Sequence, residues 1–115
     1  MRYDRKAIFY YSDSKENALG DSVPTYTKIE TFDVAVTPFT NDETKLYGLE
    51  KINKMAKVLC RDRKSYAATL LFLLDEGSET EGTYYSVLPK KDLKKVFLFN
   101  CEVAKIEAES INNGD

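Results

Sequence analysis

Residues 32–61 constrain the fold of this chain most, because the hydrophobic periodicity changes twice within them. Residues 32–38 alternate apolar and polar side chains, which predicts a half-buried strand. Thr40 and Glu43 then stand at the spacing of a capping box, in which each side chain satisfies the other residue's free backbone N–H. Residues 57–61 read as a second strand. We therefore predict a strand–helix–strand unit.

The predicted helix carries a narrow apolar stripe rather than a broad face. Gly48 falls inside the predicted helix, and a glycine there weakens a helix by about 1 kcal/mol relative to alanine. Packing against another surface therefore has to stabilise this segment. The packing partner is either the rest of this chain or a neighbouring subunit. The candidate inter-subunit contacts are Leu46, Tyr47, Leu49, Ile52 and Met55.

The remainder of the chain reads as β. Strands are predicted at residues 6–11, 66–74, 83–89 and 96–103; residues 66–74 could also form a helix, but nine residues without caps make a poor one. We expect a mainly β protein, a small and partly open β-barrel or sandwich of about six strands with one short inserted helix and long loops.

Chain length and the positions of turn-forming residues predict the domain organisation. The 115 residues suit a single domain spanning 1–115. Residues 12–30 hold two clusters of turn-forming residues and are expected to form a flexible loop or arm. Residues 107–115 are polar and are expected to fray.

The residue inventory argues against catalysis. The chain has no histidine, which removes the usual general base, the commonest metal ligand and the standard nucleophilic triads. Cys60 and Cys101 lack the spacing of a metal site and are expected to be buried free thiols. We expect no catalytic, metal-binding or cofactor-binding residues, and no membrane association, since the longest apolar run is far below the ~20 residues of a membrane helix.

Two charged segments are candidate surfaces. The net charge is −2, unlike the basic balance of a duplex DNA binder. A basic patch beside aromatic rings could nevertheless bind single-stranded nucleic acid on a small barrel; its residues are Tyr84, Lys90, Lys91, Lys94 and Lys95. The second segment is an acidic turn that holds Asp75, Glu76, Glu79 and Glu81, which we interpret as a solvated hairpin tip rather than a calcium site.

The order of these segments resembles the small head-closure and head–tail connector proteins of long-tailed bacteriophages and prophages of Gram-positive hosts. The matching features lie between Tyr3 and Val103, and their order carries the likeness. In chain order they are the opening Met1-Arg2-Tyr3-Asp4 with its strand, residues 19–26, residues 34–37, Thr44-Lys45-Leu46-Tyr47-Gly48 with Glu50-Lys51, residues 58–61, Tyr84-Tyr85-Ser86-Val87 with the lysine turn, and residues 96–103.

The resemblance implies a virion structural protein made in the bacterial host cytoplasm. It would form a homo-oligomeric ring between a portal-associated adaptor and the tail-completion protein, seal the DNA-filled head and offer the docking surface for the tail. Acidic loops would let packaged DNA pass without sequence-specific binding; the candidates are Asp21, Asp75, Glu76, Glu79 and Glu81. The alternatives are a tail-completion or other neck ring protein, and a small single-stranded nucleic-acid-binding barrel.

Overall fold

The computed structural model describes residues 3–16, 22–106 and 111–112. Seven strands and three short helical segments follow one another along them. The strands are β1 (Arg5–Glu16), β2 (Ser22–Thr37), β3 (Met55–Cys60), β4 (Leu70–Leu74), β5 (Gly82–Asp92), β6 (Phe97–Val103) and β7 (Ile111–Asn112). The helices are α1 (Asn41–Tyr47) and α2 (Leu49–Ile52), with a 3₁₀ segment at Arg63–Ala67.

Six strands close into an antiparallel barrel. Their order is β1-β4-β5-β6-β3-β2, and β2 returns to pair with β1. The short β7 adds to β2 in parallel, with Ile111 opposite Tyr26. The predicted mainly β, barrel-like fold is confirmed; the barrel is closed, and two short helices stand where one was expected.

Aromatic rings fill the barrel interior. Phe9 meets Phe32 and Phe99 edge to face, with ring centroids 5.4 Å apart in both pairs. Such contacts add about 0.5–1.5 kcal/mol to the effect of burying the rings. Further buried residues around them come from five of the barrel strands: Ala7, Val34, Ala56, Val58, Cys60, Leu71, Leu73, Phe97 and Cys101; β5 adds the partly buried Val87.

The connections alternate between the two ends of the barrel because successive strands run in opposite directions. Residues 38–54, which hold both helices, and the acidic turn at 75–81 lie at one end, here called the helix end. Residues 61–69 and 93–96 lie at the other, called the arm end. Since β3 and β4 are not neighbours in the sheet, residues 61–69 cross the mouth of the barrel there.

Residues 12–30, expected to form a flexible loop or arm, form an arm of paired strands rather than a loop over most of their length. Residues 12–16 and 22–30 are strand, and β1 pairs with β2 as far as Glu16 opposite Ser22. The polar turn chemistry was misleading because a two-stranded ribbon satisfies its backbone hydrogen bonds without burying side chains. We call residues 11–16 and 22–27 the arm. Residues 17–21, with Asp21, lie outside the described part of the chain.

Three smaller expectations also need correction. Residues 66–74 are not one strand, because Tyr66 and Ala67 end the 3₁₀ segment and β4 begins at Leu70. Lys90 and Lys91 belong to β5 rather than to a connector. In the tail expected to fray, residues 111–112 pair with β2; its remaining residues are outside the described ranges.

Candidate interaction surfaces

A capping box fixes the start of α1, as the sequence predicts. The Glu43 amide donates to Thr40 Oγ1 at 3.2 Å, and the Thr40 amide donates to Glu43 Oε1 at 2.9 Å. Lys57 of β3 donates to the same carboxylate oxygen at 2.7 Å. The hydrogen bond from Lys57, with those from Thr40, lowers the pKa of Glu43. Polar contacts therefore hold α1 to the barrel.

The predicted apolar stripe is not continuous. Gly48 adopts φ = 85°, a left-handed conformation that ends α1 before α2 begins. Leu46 and Leu49 are 77% and 71% exposed, whereas Met55 lies in β3 and is buried. Tyr47 and Ile52 are half-buried. Met55 is thus a core residue and not a candidate contact, and the two leucines remain an unpartnered apolar pair.

Backbone hydrogen bonds build the acidic turn. The Asp75 amide donates to the Glu81 carbonyl at 2.8 Å, and the Ser78 hydroxyl accepts from the Glu81 amide at 2.8 Å. Gly82 is required because an added Cβ would lie 2.3 Å from the Leu73 carbonyl oxygen. Four exposed carboxylates have no ion-pair partner among the described residues: Asp75, Glu76, Glu79 and Glu81.

The predicted nucleic-acid patch is split by the fold. Lys90 turns inward, where its ammonium donates to the carbonyls of Tyr66 and Ala68 and stacks over the Tyr66 ring. Tyr84 packs on Phe72 at a centroid distance of 4.5 Å, near the start of β5. Lys91, Lys94 and Lys95 stay exposed at the other end of that strand and in the following turn. Tyr84 therefore does not lie beside the exposed lysines with which it was grouped.

A different basic surface forms where two turns meet at the arm end. Tyr66 contacts both Lys90 and Phe97, and Arg63 stacks over the Phe97 ring. These contacts hold residues 61–67 against the β5–β6 turn. The surface, here called the basic face, carries six exposed cations: Arg61, Arg63, Lys64, Lys91, Lys94 and Lys95.

The two acidic side chains of the basic face accept hydrogen bonds from backbone amides of the same face. The Asp62 carboxylate accepts from the Lys64 amide at 2.9 Å, and that of Asp92 accepts from the Lys94 amide at 2.7 Å. None of the six cations forms an ion pair with another described residue. Sequence reasoning found half of this face. It named Lys91, Lys94 and Lys95 but not Arg61, Arg63 and Lys64, which only the crossing connection brings to the lysines.

Both cysteines are buried free thiols, as expected. Burial raises the pKa of Cys101 to about 12. In the β3–β6 register, Cys101 is opposite Ala56 and Cys60 opposite Phe97. That offset places the two residues roughly 13 Å apart along the strands, too far for a disulfide.

The described residues contain no group of three or more His, Cys, Asp or Glu side chains able to hold a metal ion. In residues 3–16, 22–106 and 111–112, no helix is long and apolar enough to cross a membrane.

Comparisons with known proteins show the fold. No protein-family model matches the chain, and no curated protein matches it. Among solved structures, the chain is similar to protein SF1141 from Shigella flexneri 2a, a structural-genomics target studied in solution. The TM-score is 0.61 at 12% sequence identity, over 93% of this chain and 100% of that one. At this identity the likeness concerns architecture alone.

Proposed function

We propose that this chain is a structural protein of the head–tail connector of a tailed bacteriophage or prophage. It assembles as a ring that closes the DNA-filled head and presents the docking surface for the tail. The observation that carries the proposal is an arm projecting from a closed barrel whose interior is filled by its own side chains. Such a molecule acts through its outer surfaces.

The arm supports a contact between subunits. Past Tyr10, β1 no longer pairs with β4, and before Val34, β2 no longer pairs with β3. The arm extends about six residues, or roughly 20 Å, beyond the barrel pairing. In residues 11–16 the outer edge of β1 has no strand beside it among the described residues. An open strand edge is a template for pairing with another chain.

The exposed leucine pair supports a second contact at the helix end. Leu49 lines an open cleft of about 510 Å³ together with Tyr47, Lys54 and Glu102, and the exposed Leu46 directly precedes Tyr47 in the chain. Two neighbouring leucines that stay this exposed gain by burial against a partner, about 25 cal/mol for each Å² removed from water. Tyr47, half-buried at the same cleft, would widen the contact.

The acidic turn supports a contact with protein rather than with DNA. Its four carboxylates are exposed, and their charge repels DNA phosphates. The partners in this proposal are the portal-associated adaptor on one side and the tail-completion protein on the other. A tail-completion or other neck ring protein is the alternative role within the same class.

Deletion of the gene from a phage or prophage that carries it tests the function. Electron microscopy of the lysate is expected to show heads without tails, together with loss of packaged DNA from those heads. Tailed particles with retained DNA in the deletion lysate would refute the connector role. Accumulation of tailless heads that keep their DNA would favour the tail-completion alternative.

A leucine substitution separates assembly from folding. Leu49→Asp is expected to abolish complementation of the deletion while the urea midpoint of the purified chain stays close to wild type. Lys45→Asp, at an exposed position of the neighbouring helix α1, is the matched control and should complement. Equal loss of stability and assembly in Leu49→Asp would make this segment ordinary core.

One observation favours a second function, the binding of single-stranded nucleic acid: six exposed cations without an ion-pair partner among the described residues share one face. Binding of a labelled oligonucleotide that falls steeply with salt would support it. Tyr84, the ring expected to stack bases, packs on Phe72 instead of joining these cations.

A further inference from the structure

Two surfaces at opposite ends of the barrel carry opposite charge. The acidic turn lies at the helix end and contributes four carboxylates without an intervening basic residue. The basic face lies at the arm end, with six exposed cations and two carboxylates that are bonded to backbone amides. A net charge of −2 conceals this separation, because the two sets nearly cancel in the sum.

Neither set forms an ion pair within the described residues, where the ion pairs found join Lys6 to Asp33 and Lys57 to Glu43. Arg5 and Lys6 line one cleft with the acidic turn, and Glu79 attracts the Lys6 ammonium, so the turn is partly compensated on that side. Unpaired charges of opposite sign at opposite ends steer copies of one molecule into head-to-tail encounters.

We propose that the basic face of one copy docks on the acidic turn of the next, as the heterologous contact of the assembly. The proposal rests on the connector function, and names the surfaces through which its subunits meet. A heterologous contact uses two different patches, and it closes into a ring when the rotation between successive copies allows it.

The arm and the exposed Leu93 fit the same contact. Leu93, 50% exposed, stands in the β5–β6 turn among the lysines, so apolar area accompanies the charge. The arm projects from the same end, and in a head-to-tail contact it would reach past the interface along the neighbouring barrel. Because the overall charge is acidic, a phosphate polymer is repelled at long range, whereas the acidic turn of a copy offers a local match.

Charge reversal at each end provides the test. The basic-face variant is Lys64→Glu/Lys95→Glu, and the acidic-turn variant is Glu76→Lys/Glu79→Lys; all four positions are exposed. In sedimentation velocity at low salt, the wild-type chain is expected to self-associate, and each variant alone to do so at least about tenfold more weakly. An equimolar mixture of the two variants should regain association. Lys45→Glu/Lys105→Glu, two exposed sites outside both surfaces, is the control for charge change alone.

Other outcomes overturn the contact. A wild-type chain that stays monomeric at low salt and high concentration, or an association unchanged by both reversals, contradicts it. A third result would also contradict it: the wild-type chain binds an oligonucleotide in a salt-sensitive way, and the basic-face variant loses that binding but self-associates as before. The partner of the basic face would then be a phosphate polymer. These results leave the connector function standing if the gene deletion still yields tailless heads, so the two failures are distinguishable.

Discussion

The same two strands, β1 and β2, build both the barrel wall and the arm, but the two parts are stabilised by different interactions. Within the barrel, Ala7, Phe9, Phe32 and Val34 of β1 and β2 are buried. Past Tyr10 the hydrogen-bonded register continues, but Tyr11 is 41% exposed and Ser12 is exposed as well. Backbone pairing alone thus extends a ribbon, while burial of side chains decides where the stable barrel ends.

The largest expected effect is loss of a ring from the barrel half of β1. Phe9→Ala should lower the free energy of unfolding by about 3–5 kcal/mol, because a fully buried ring is replaced by a cavity. Tyr11→Ala, two residues along the strand, is the matched variant and should cost under about 1 kcal/mol. Urea denaturation followed by circular dichroism measures both. Similar losses would mean that the arm is part of the cooperative core.

Two glycines, Gly77 inside the acidic turn and Gly82 directly after it, give the next effect. Gly82→Ala should destabilise by about 1–3 kcal/mol because the new Cβ meets the Leu73 carbonyl. In Gly77→Ala the new Cβ meets open space, and only the backbone φ of 77° disfavours alanine, by about 1 kcal/mol. Thermal unfolding of the two variants compares Gly82, at the edge of the barrel, with Gly77, in the acidic turn. A larger loss for Gly77→Ala would contradict the close approach at Gly82.

The attachment of α1 outside the barrel should be weaker and dependent on pH. Glu43→Gln is expected to cost about 0.5–1 kcal/mol at neutral pH, because the charged form is bonded by Lys57 and Thr40. Those bonds lower the folded-state pKa of Glu43 below its ordinary 4.5. The stabilisation is therefore present above about pH 4.5 and disappears as the pH falls through the lowered pKa. Urea midpoints of both proteins from pH 7 to 3 should converge; a constant difference would rule out this origin.

The smallest expected effect on folding belongs to the exposed leucines. Leu46→Ser and Leu49→Ser should change the free energy of unfolding by less than about 0.5 kcal/mol, since both side chains are mostly in water. Ile52→Ser, half-buried in the same segment, is the comparison and should cost more. Chemical denaturation in dilute solution checks this, and a large loss for either leucine would place it in the core.

The sequence by itself determined the approximate positions of the six barrel strands, the mainly β class, the capping box and the two buried thiols. These follow from local periodicity, hydrogen-bond chemistry and residue size, which act over a few positions. The arm was misread because polar residues with turn propensity also suit a ribbon paired on its backbone. The stripe from Leu46 to Met55 was misread because a left-handed Gly48 and the start of β3 interrupt the helix.

Only the tertiary structure decided which charges share a surface. The turn at residues 61–64 lies about 30 positions from the β5–β6 turn, and the connection across the barrel mouth brings them together. In the folded chain, Lys90 donates to backbone carbonyls instead of facing solvent with the other lysines, and Tyr84 packs on Phe72 away from them. Strand order and closure are set by contacts distant in sequence, so local patterns could name the charged segments but not the ends of the barrel that they occupy.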